Sequence, residues 1–75
     1  MKRVHNRIRD LREDNDLKQK DLASYLCCSQ QAYSNYELGL RDVPSDILIK
    51  LADYYMTNID YIMRLTDNKT YYKDL

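Results

Sequence analysis

The chain has 75 residues and a mass of 9.0 kDa, which is enough for one small domain and too little for two separate cores. Hydrophobic residues make up 44% of it and charged residues 32%, a balance typical of folded domains and not of disordered segments. One glycine and one proline are too few for the many tight turns of an all-β sandwich. No apolar run reaches the roughly 20 residues of a membrane-spanning helix, and the charged start resembles no signal peptide. We therefore expect one all-α domain in the cytoplasm.

The formal net charge is zero, so composition alone does not indicate binding to nucleic acid. Basic residues prevail in residues 1–41 and acidic residues in residues 42–75. Cys27 and Cys28 are adjacent and cannot link distant segments. With a single histidine they cannot complete a four-ligand zinc site, nor does the chain offer a nucleophile, base and orienting group. We expect no metal, no cofactor, no small-molecule ligand and no enzymatic activity.

Hydrophobic periodicity predicts five helices. The first runs from about residue 3 to residue 14, and the second begins near Lys18. Ser29 is suited to cap the third helix and Gly39 to end it. Pro44 or Ser45 opens the fourth. The inward positions along these four helices are Val4, Ile8, Leu11, Leu22, Ala23, Leu26, Tyr33, Tyr36, Ile47, Leu48, Leu51, Ala52 and Tyr55.

Asn58 is suited to cap a fifth helix that carries Ile59, Ile62 and Met63. We place a domain boundary after residue 66 and make no structural prediction for residues 66–75. The tail, residues 67–75, is a candidate for part of a dimer contact. Tyr25, Tyr54 and Tyr61 are expected to be partly exposed and are further candidates for a subunit contact.

The second and third predicted helices form a helix-turn-helix within about residues 18–37. Ala23 is the small residue that such closely crossing helices require. The third helix carries four polar, uncharged residues between its apolar positions, and all four point away from the core: Gln30, Gln31, Ser34 and Asn35. On periodicity alone, an ordinary solvated helix face explains these four residues equally well.

The chain resembles the Cro/repressor-type helix-turn-helix family of phage and bacterial transcription regulators, the Xre family. The similarity covers about residues 7–67 and rests on several blocks at matched spacing. These blocks are Ile8-Arg9-Asp10-Leu11-Arg12, Leu17-Lys18-Gln19-Lys20-Asp21-Leu22-Ala23, Ser29 through Tyr36-Glu37-Leu38-Gly39, Arg41 with Pro44, Leu51-Ala52-Asp53-Tyr54-Tyr55 and Asp60-Tyr61-Ile62. The resemblance implies a five-helix, lambda-repressor-like fold.

The resemblance also implies roles for single residues. Gln30 and Gln31 stand where the family reads base edges, and a glutamine amide matches the N6 and N7 groups of adenine. Ser34 and Asn35 are then expected to reach the next bases or a phosphate. Gln19 is expected to hold a phosphate and support the third helix, and Lys18 and Arg41 to contact DNA. The resemblance further implies a structural ion pair between Arg12 and Glu37.

Four positions depart from the family pattern. Cys27 stands where the turn usually carries glycine, and Lys18 replaces the usual Ser or Thr cap. Leu38 and Leu40 occupy loop positions that often carry polar or basic residues.

The resemblance implies a bacterial or phage-encoded transcriptional regulator that binds double-stranded DNA in a sequence-specific way. We expect a repressor that acts as a homodimer on a pseudo-palindromic operator. The alternative is a protein–protein interaction module, antitoxin-like or anti-repressor, that keeps the fold and binds DNA weakly. Zero net charge and the two loop leucines favour this alternative, whereas Gln19, Gln30 and Gln31 argue against it.

Overall fold

The computed structural model describes residues 6–71, and within them the chain forms five helices and no strand. The helices are α1 Ile8–Asp14, α2 Gln19–Leu26, α3 Gln30–Leu38, α4 Ser45–Tyr54 and α5 Ile59–Ile62. The all-α, lambda-repressor-like fold is therefore as predicted. No helix in this part of the chain combines the length and the apolar character needed to cross a bilayer.

One core joins the five helices. It is built from the buried side chains Ile8, Leu22, Ala23, Leu26, Tyr33, Tyr36, Ile47, Leu51, Ala52 and Ile62. Leu11, Leu17, Cys28, Val43, Leu48, Tyr55 and Ile59 pack around this core and are partly buried. The predicted inward positions of α2, α3 and α4 thus lie in the core or against it, because the 3.6-residue period places them on one face of each helix.

The helix ends follow the predicted local signals. The Ser29 hydroxyl accepts a hydrogen bond from the Ala32 amide at 3.0 Å, and Asn58 Oδ1 accepts one from the Tyr61 amide at 2.8 Å. Pro44 precedes the first residue of α4, and Gly39 ends α3 in the left-handed region with φ 72°. The prediction for these four positions is confirmed.

The predicted start of the first helix near residue 3 is wrong for Asn6 and Arg7, which are not helical; Val4 lies outside the described residues. Tertiary contacts hold these two residues in another conformation. Asn6 is buried, donates its Nδ2 to the Tyr36 carbonyl at 3.1 Å and accepts from the Ile8 amide at 3.1 Å. The Arg7 amide donates to the Ile62 carbonyl at 2.7 Å.

The expectation of a partly exposed Tyr61 is also wrong, since this residue is only 9% exposed. The Arg7 guanidinium lies 4.2 Å from the centre of its ring, and the Lys69 ammonium lies 5.7 Å from it. These cation–π contacts cover the ring with polar side chains. Tyr25 and Tyr54 are partly exposed as expected, and the centres of their rings lie 4.7 Å apart.

Residues 66–71 pack against the helical unit through their backbone carbonyls. The buried Asn58 amide donates to the carbonyls of Asn68 and Thr70 at 2.9 and 2.8 Å. The Thr57 hydroxyl donates to the Lys69 carbonyl at 3.1 Å. Asn58 therefore caps α5 with its oxygen and fastens the following segment with its nitrogen.

A buried carboxylate joins α1, α2 and α3. The Glu37 side chain is 2% exposed and accepts hydrogen bonds from Arg12 Nε at 2.6 Å, Arg12 Nη2 at 3.2 Å and Gln19 Nε2 at 3.1 Å. Arg12 Nη1 also donates to the Leu17 carbonyl at 2.9 Å, so the guanidinium ties the α1–α2 loop to α3. We call these four residues (Arg12, Leu17, Gln19 and Glu37) the Glu37 network.

Electrostatics keeps the Glu37 network ionised. Burial alone would raise the pKa of Glu37, but the Arg12 guanidinium, followed by the nearby Tyr33 hydroxyl and the Gln19 amide, lowers it below its ordinary value. The hydrogen bond to Glu37 in turn raises the pKa of Arg12. Burial, followed by the neighbouring Glu37, raises the pKa of Tyr33, whose hydroxyl faces the carboxylate without a well-aligned hydrogen bond.

We expect Arg12→Ala to lower the free energy of unfolding by about 3–5 kcal/mol, because the Glu37 carboxylate then stays buried without its main donor. For a domain of this size, that is most of its stability. Chemical denaturation followed by circular dichroism measures the change.

Arg9→Ala is the matched control. Arg9 pairs with Glu13 on the surface of α1, with both side chains more than half exposed, and such a pair contributes at most about 0.5 kcal/mol. Equal losses in the two variants would show that the Arg12–Glu37 pair does not stabilise the fold.

The lowered pKa of Glu37 makes stability depend on pH. The ionised carboxylate stabilises the folded state fully above its ordinary pKa of 4.5, and this contribution is lost as pH falls through the lower, folded-state pKa. We expect the melting temperature to fall steeply below about pH 4.5. Glutamine at position 37 does not titrate, so the melting temperature of Glu37→Gln should fall less steeply below this pH. Equal slopes of melting temperature against pH in the two proteins would show that Glu37 does not cause the loss of stability in acid.

Candidate nucleic-acid interface

The turn between α2 and α3 sets the angle of the third helix. Cys27 ends α2 with φ 57° and ψ 39°, the left-handed conformation that glycine adopts at lower cost. The Cys28 amide then donates to the Ala23 carbonyl at 3.0 Å. The buried Ala23 allows the two helices to approach closely. A left-handed residue thus stands at the position where the family pattern usually has glycine, and in this chain it is a cysteine.

The outer face of α3 carries neutral amides and a hydroxyl. Gln30 and Gln31 are exposed in its first turn, and Ser34 and Asn35 follow half-buried one turn later. The opposite face is fixed in the core by Tyr33 and Tyr36, which are buried. The four predicted base-reading residues therefore lie together on one surface, and none of them is charged.

The two glutamines of this face have different surroundings. Gln31 Nε2 donates to Asn35 Oδ1 at 3.2 Å, a link across one helical turn. Gln30 is exposed, and none of the hydrogen bonds among residues 6–71 involves its side chain. Gln31 is consequently held by a neighbour, whereas Gln30 is free to reorient.

Gln19 and Lys18 lie at the start of α2. The Gln19 amide donates to Glu37 at 3.1 Å and so supports α3. The side-chain carbonyl oxygen of Gln19 and its second N–H group remain available for other hydrogen bonds. The Lys18 side chain does not cap the helix; instead the Asp21 carboxylate accepts from the Lys18 amide at 2.9 Å. The Lys18 ammonium is therefore left in solvent.

Among residues 6–71, seven of the nine basic residues fall into two groups, and Lys50 and Lys69 are exposed as well. Four arginines contact acidic side chains within the chain, namely Arg7 with Asp67, Arg9 with Glu13, Arg12 with Glu37 and Arg64 with Asp10. Lys18, Lys20 and Arg41 are exposed, and in the part of the chain that the structure describes they have no ion pair. Within the described residues, these three place exposed positive charge in the helix-turn-helix and in the loop after it.

The end of α3 and the loop that follows it are partly apolar. Leu38 is half exposed and Leu40 is 75% exposed, on either side of Gly39. Arg41 follows directly and is exposed in the same loop. The loop therefore presents one cation beside two leucines.

Cys27 and Cys28 differ in exposure. Cys27 is exposed and Cys28 partly buried, and burial, followed by the neighbouring Cys27, raises the pKa of the Cys28 thiol. A thiol with a raised pKa is less ionised and less reactive. Within residues 6–71 no three histidine, cysteine or acidic side chains come together as metal ligands.

Sequence reasoning missed Asn6, Arg7 and Leu17 as residues that position the interface. Asn6 reaches the end of α3 through the Tyr36 carbonyl, and Leu17 reaches Arg12 through its own carbonyl. Backbone carbonyls carry no sequence signal, so these contacts could not be found from residue types. For Asn6, an Asn two residues before an apolar helical position was the available signal.

Comparison with known proteins agrees with this geometry. A family model described as helix-turn-helix matches residues 8–62. Over 62 residues, 83% of this chain and 55% of the relative, the chain is 36% identical to "Uncharacterized HTH-type transcriptional regulator YobD" of Bacillus subtilis (strain 168). Over 57 residues, 76% of this chain and 45% of the relative, it is 33% identical to "HTH-type transcriptional regulator ImmR" of the same organism.

The chain spans about half the length of the curated relatives it matches. No solved structure matches it significantly. The matched residues 8–62 run from α1 to α5 and include the whole α2–turn–α3 unit, Arg12 and Glu37. The chain belongs to the Xre/Cro-type helix-turn-helix family of transcriptional regulators.

Proposed function

We propose that this protein binds double-stranded DNA in a sequence-specific way and acts as a transcriptional repressor, with α3 in the major groove. The observation that carries the proposal is the outer face of α3, where Gln30 and Gln31 are exposed in the first turn on a helix braced from behind. In this mode of binding, the N-terminal residues of the recognition helix contact base edges.

Neutral amides suit base reading better than nonspecific attraction. A glutamine side chain donates and accepts hydrogen bonds at once and matches the N6 and N7 groups of adenine. Without charge it displaces no counterions from DNA. Ser34 and Asn35 lie one turn further along, where they reach the next bases or a phosphate.

Three exposed cations in or next to the helix-turn-helix supply contacts with phosphates. Two of them, Lys18 and Lys20, precede α3 in the chain, and Arg41 follows it. Within the described residues none of the three forms an ion pair. The second N–H group of Gln19 is a further phosphate donor. Because ion pairs hold four of the nine basic side chains among residues 6–71, the affinity depends on base contacts to a larger extent than in a basic domain.

A second copy of the chain completes the binding unit in this proposal. Two recognition helices about 34 Å apart fit successive major grooves of a pseudo-palindromic operator. The apolar surface between α4 and α5 is the proposed contact. A cavity of about 210 Å³ there is lined by Ile49, Ala52, Asp53, Thr57, Asn58, Ile59 and Tyr71.

Two exposed side chains accompany this cavity. Ile49, on its wall, is 52% exposed, and Met56, next to the lining Thr57 in the chain, is 64% exposed. The cavity is larger than one methionine side chain, so it has room for Met56 of a second copy. An arrangement in which each copy offers both the side chain and the cavity has the symmetry of a twofold dimer.

The alternative function is a protein–protein interaction module with weak DNA binding. The exposed Leu38 and Leu40 favour it, because they place apolar surface where a phosphate contact would need polar groups. The salt dependence of binding to nonspecific duplex separates the two functions. A DNA-binding domain loses affinity as salt rises, with a slope set by its phosphate contacts, whereas the module shows little binding at any salt concentration.

The operator is first identified by selection of bound duplexes from a genomic library. We then expect Gln30→Ala and Gln31→Ala each to cost about 1–3 kcal/mol on the operator and to relax the preference at one base pair. Binding to random duplex and the salt slope should stay unchanged, because neither residue bears a charge. Fluorescence anisotropy at several salt concentrations measures both quantities.

Lys20→Ala is the contrasting variant. It removes an exposed charge from the same helix-turn-helix, so it should weaken operator and random duplex alike and reduce the salt slope by about one. If both glutamine variants bind operator and random DNA as the parent does, α3 does not read the bases, and the interaction module becomes the better proposal.

We expect the protein to be a dimer at micromolar concentration and Met56→Glu or Ile49→Glu to produce monomers, because a charge would then lie in the apolar contact. Both side chains are exposed, so the monomer should keep its fold. Sedimentation equilibrium measures the mass. Leu40→Glu, an equally exposed change on another surface, should leave the dimer intact; a monomeric parent on operator DNA would contradict the proposal.

A further inference from the structure

Gln31 and Asn35 are joined by a hydrogen bond on the exposed face of α3. Gln31 Nε2 donates to Asn35 Oδ1 at 3.2 Å, and residues four apart on a helix are close enough for such a link. Asn35 is half-buried and Gln31 is exposed, so the better-packed side chain holds the freer one.

The link divides the hydrogen-bonding groups of the two amides. Asn35 Oδ1 is occupied by Gln31, which leaves its two N–H groups. Gln31 keeps its carbonyl oxygen and one N–H group, the pair of groups that a bidentate contact with adenine uses. The reading capacity of Gln31 is therefore retained while the orientation of its amide is restricted.

We infer that Asn35 is a positioning residue for Gln31: it holds the Gln31 amide in the orientation in which Gln31 reads a base pair. The inference rests on the proposed DNA-binding function and names a determinant of its specificity. Gln30, in the same turn, reads independently because no such link holds it.

The size of the effect follows from side-chain freedom. A free glutamine loses rotamer entropy when it is immobilised at an interface, and a side chain that is already held loses less. Removing the link should therefore weaken operator binding about three- to tenfold, even where Asn35 itself touches no base.

Two double-mutant cycles test the inference on the full chain. The first compares Gln31→Ala, Asn35→Ala and the double variant on operator DNA. The second makes the same comparison with Gln30→Ala in place of Gln31→Ala. We expect Asn35→Ala to cost about three- to tenfold in the parent and almost nothing in the Gln31→Ala background. In the Gln30→Ala background its cost should be the same as in the parent. Melting temperatures of all variants control for folding.

Asn35→Asp separates positioning from direct reading. Aspartate keeps an acceptor oxygen for Gln31 but has no N–H group to offer to a base. We expect it to keep the parent's base preference while binding operator and random duplex more weakly, because its charge repels phosphate. Asn35→Ala should instead relax the preference at the same base pair as Gln31→Ala.

Additive costs for Gln31→Ala and Asn35→Ala would overturn the inference. So would a relaxed preference at different base pairs, or loss of base preference in Asn35→Asp. These results leave the proposed function intact, since the parent still selects its operator. A parent protein that selects no sequence from the library overturns the proposed function, and the inference with it.

Discussion

The position of the third helix depends on one buried carboxylate. Glu37 has almost no contact with solvent, so its charge must be balanced by donors within the protein. Arg12 from α1 and Gln19 from α2 supply them, with two and one hydrogen bonds. Because hydrogen bonds to a carboxylate are directional, they fix α3 relative to both helices, which apolar packing alone does less strictly. The face of α3 that carries Gln30 and Gln31 is the surface that this network orients.

Ion pairs within the chain hold four of the nine basic side chains among residues 6–71. Arg7, Arg9, Arg12 and Arg64 contact carboxylates of the chain itself, and Arg7 also lies on the Tyr61 ring. Arginine is suited to such fixed contacts because its planar group offers several donors at once. In the proposed function, specificity thus comes from neutral amides on a rigid helix, and the exposed cations add a modest attraction.

Much of the fold could be predicted from residue patterns. The caps at Ser29 and Asn58, the glycine at position 39 and the inward faces of α2 to α4 depend on local chemistry and periodicity, and all are observed. The start of α1 and the burial of Tyr61 were predicted wrongly. Both depend on Arg7, whose amide and guanidinium bind α5 more than fifty residues away in the chain. Hydrophobic periodicity predicts which residues share one face of a helix, and it does not predict contacts between segments that are distant in the chain.

The candidate site divides in the same way. The sequence by itself determined which residue types lie on the outer face of α3, because helical spacing separates Gln30, Gln31, Ser34 and Asn35 from the core tyrosines. Only the tertiary structure decided how these side chains are held: Gln31 by Asn35, and α3 as a whole by Arg12, Gln19 and the Tyr36 carbonyl bound to Asn6. The physical reason is that spacing assigns a residue to a face, whereas the direction of a hydrogen bond depends on where another segment places its donor or acceptor.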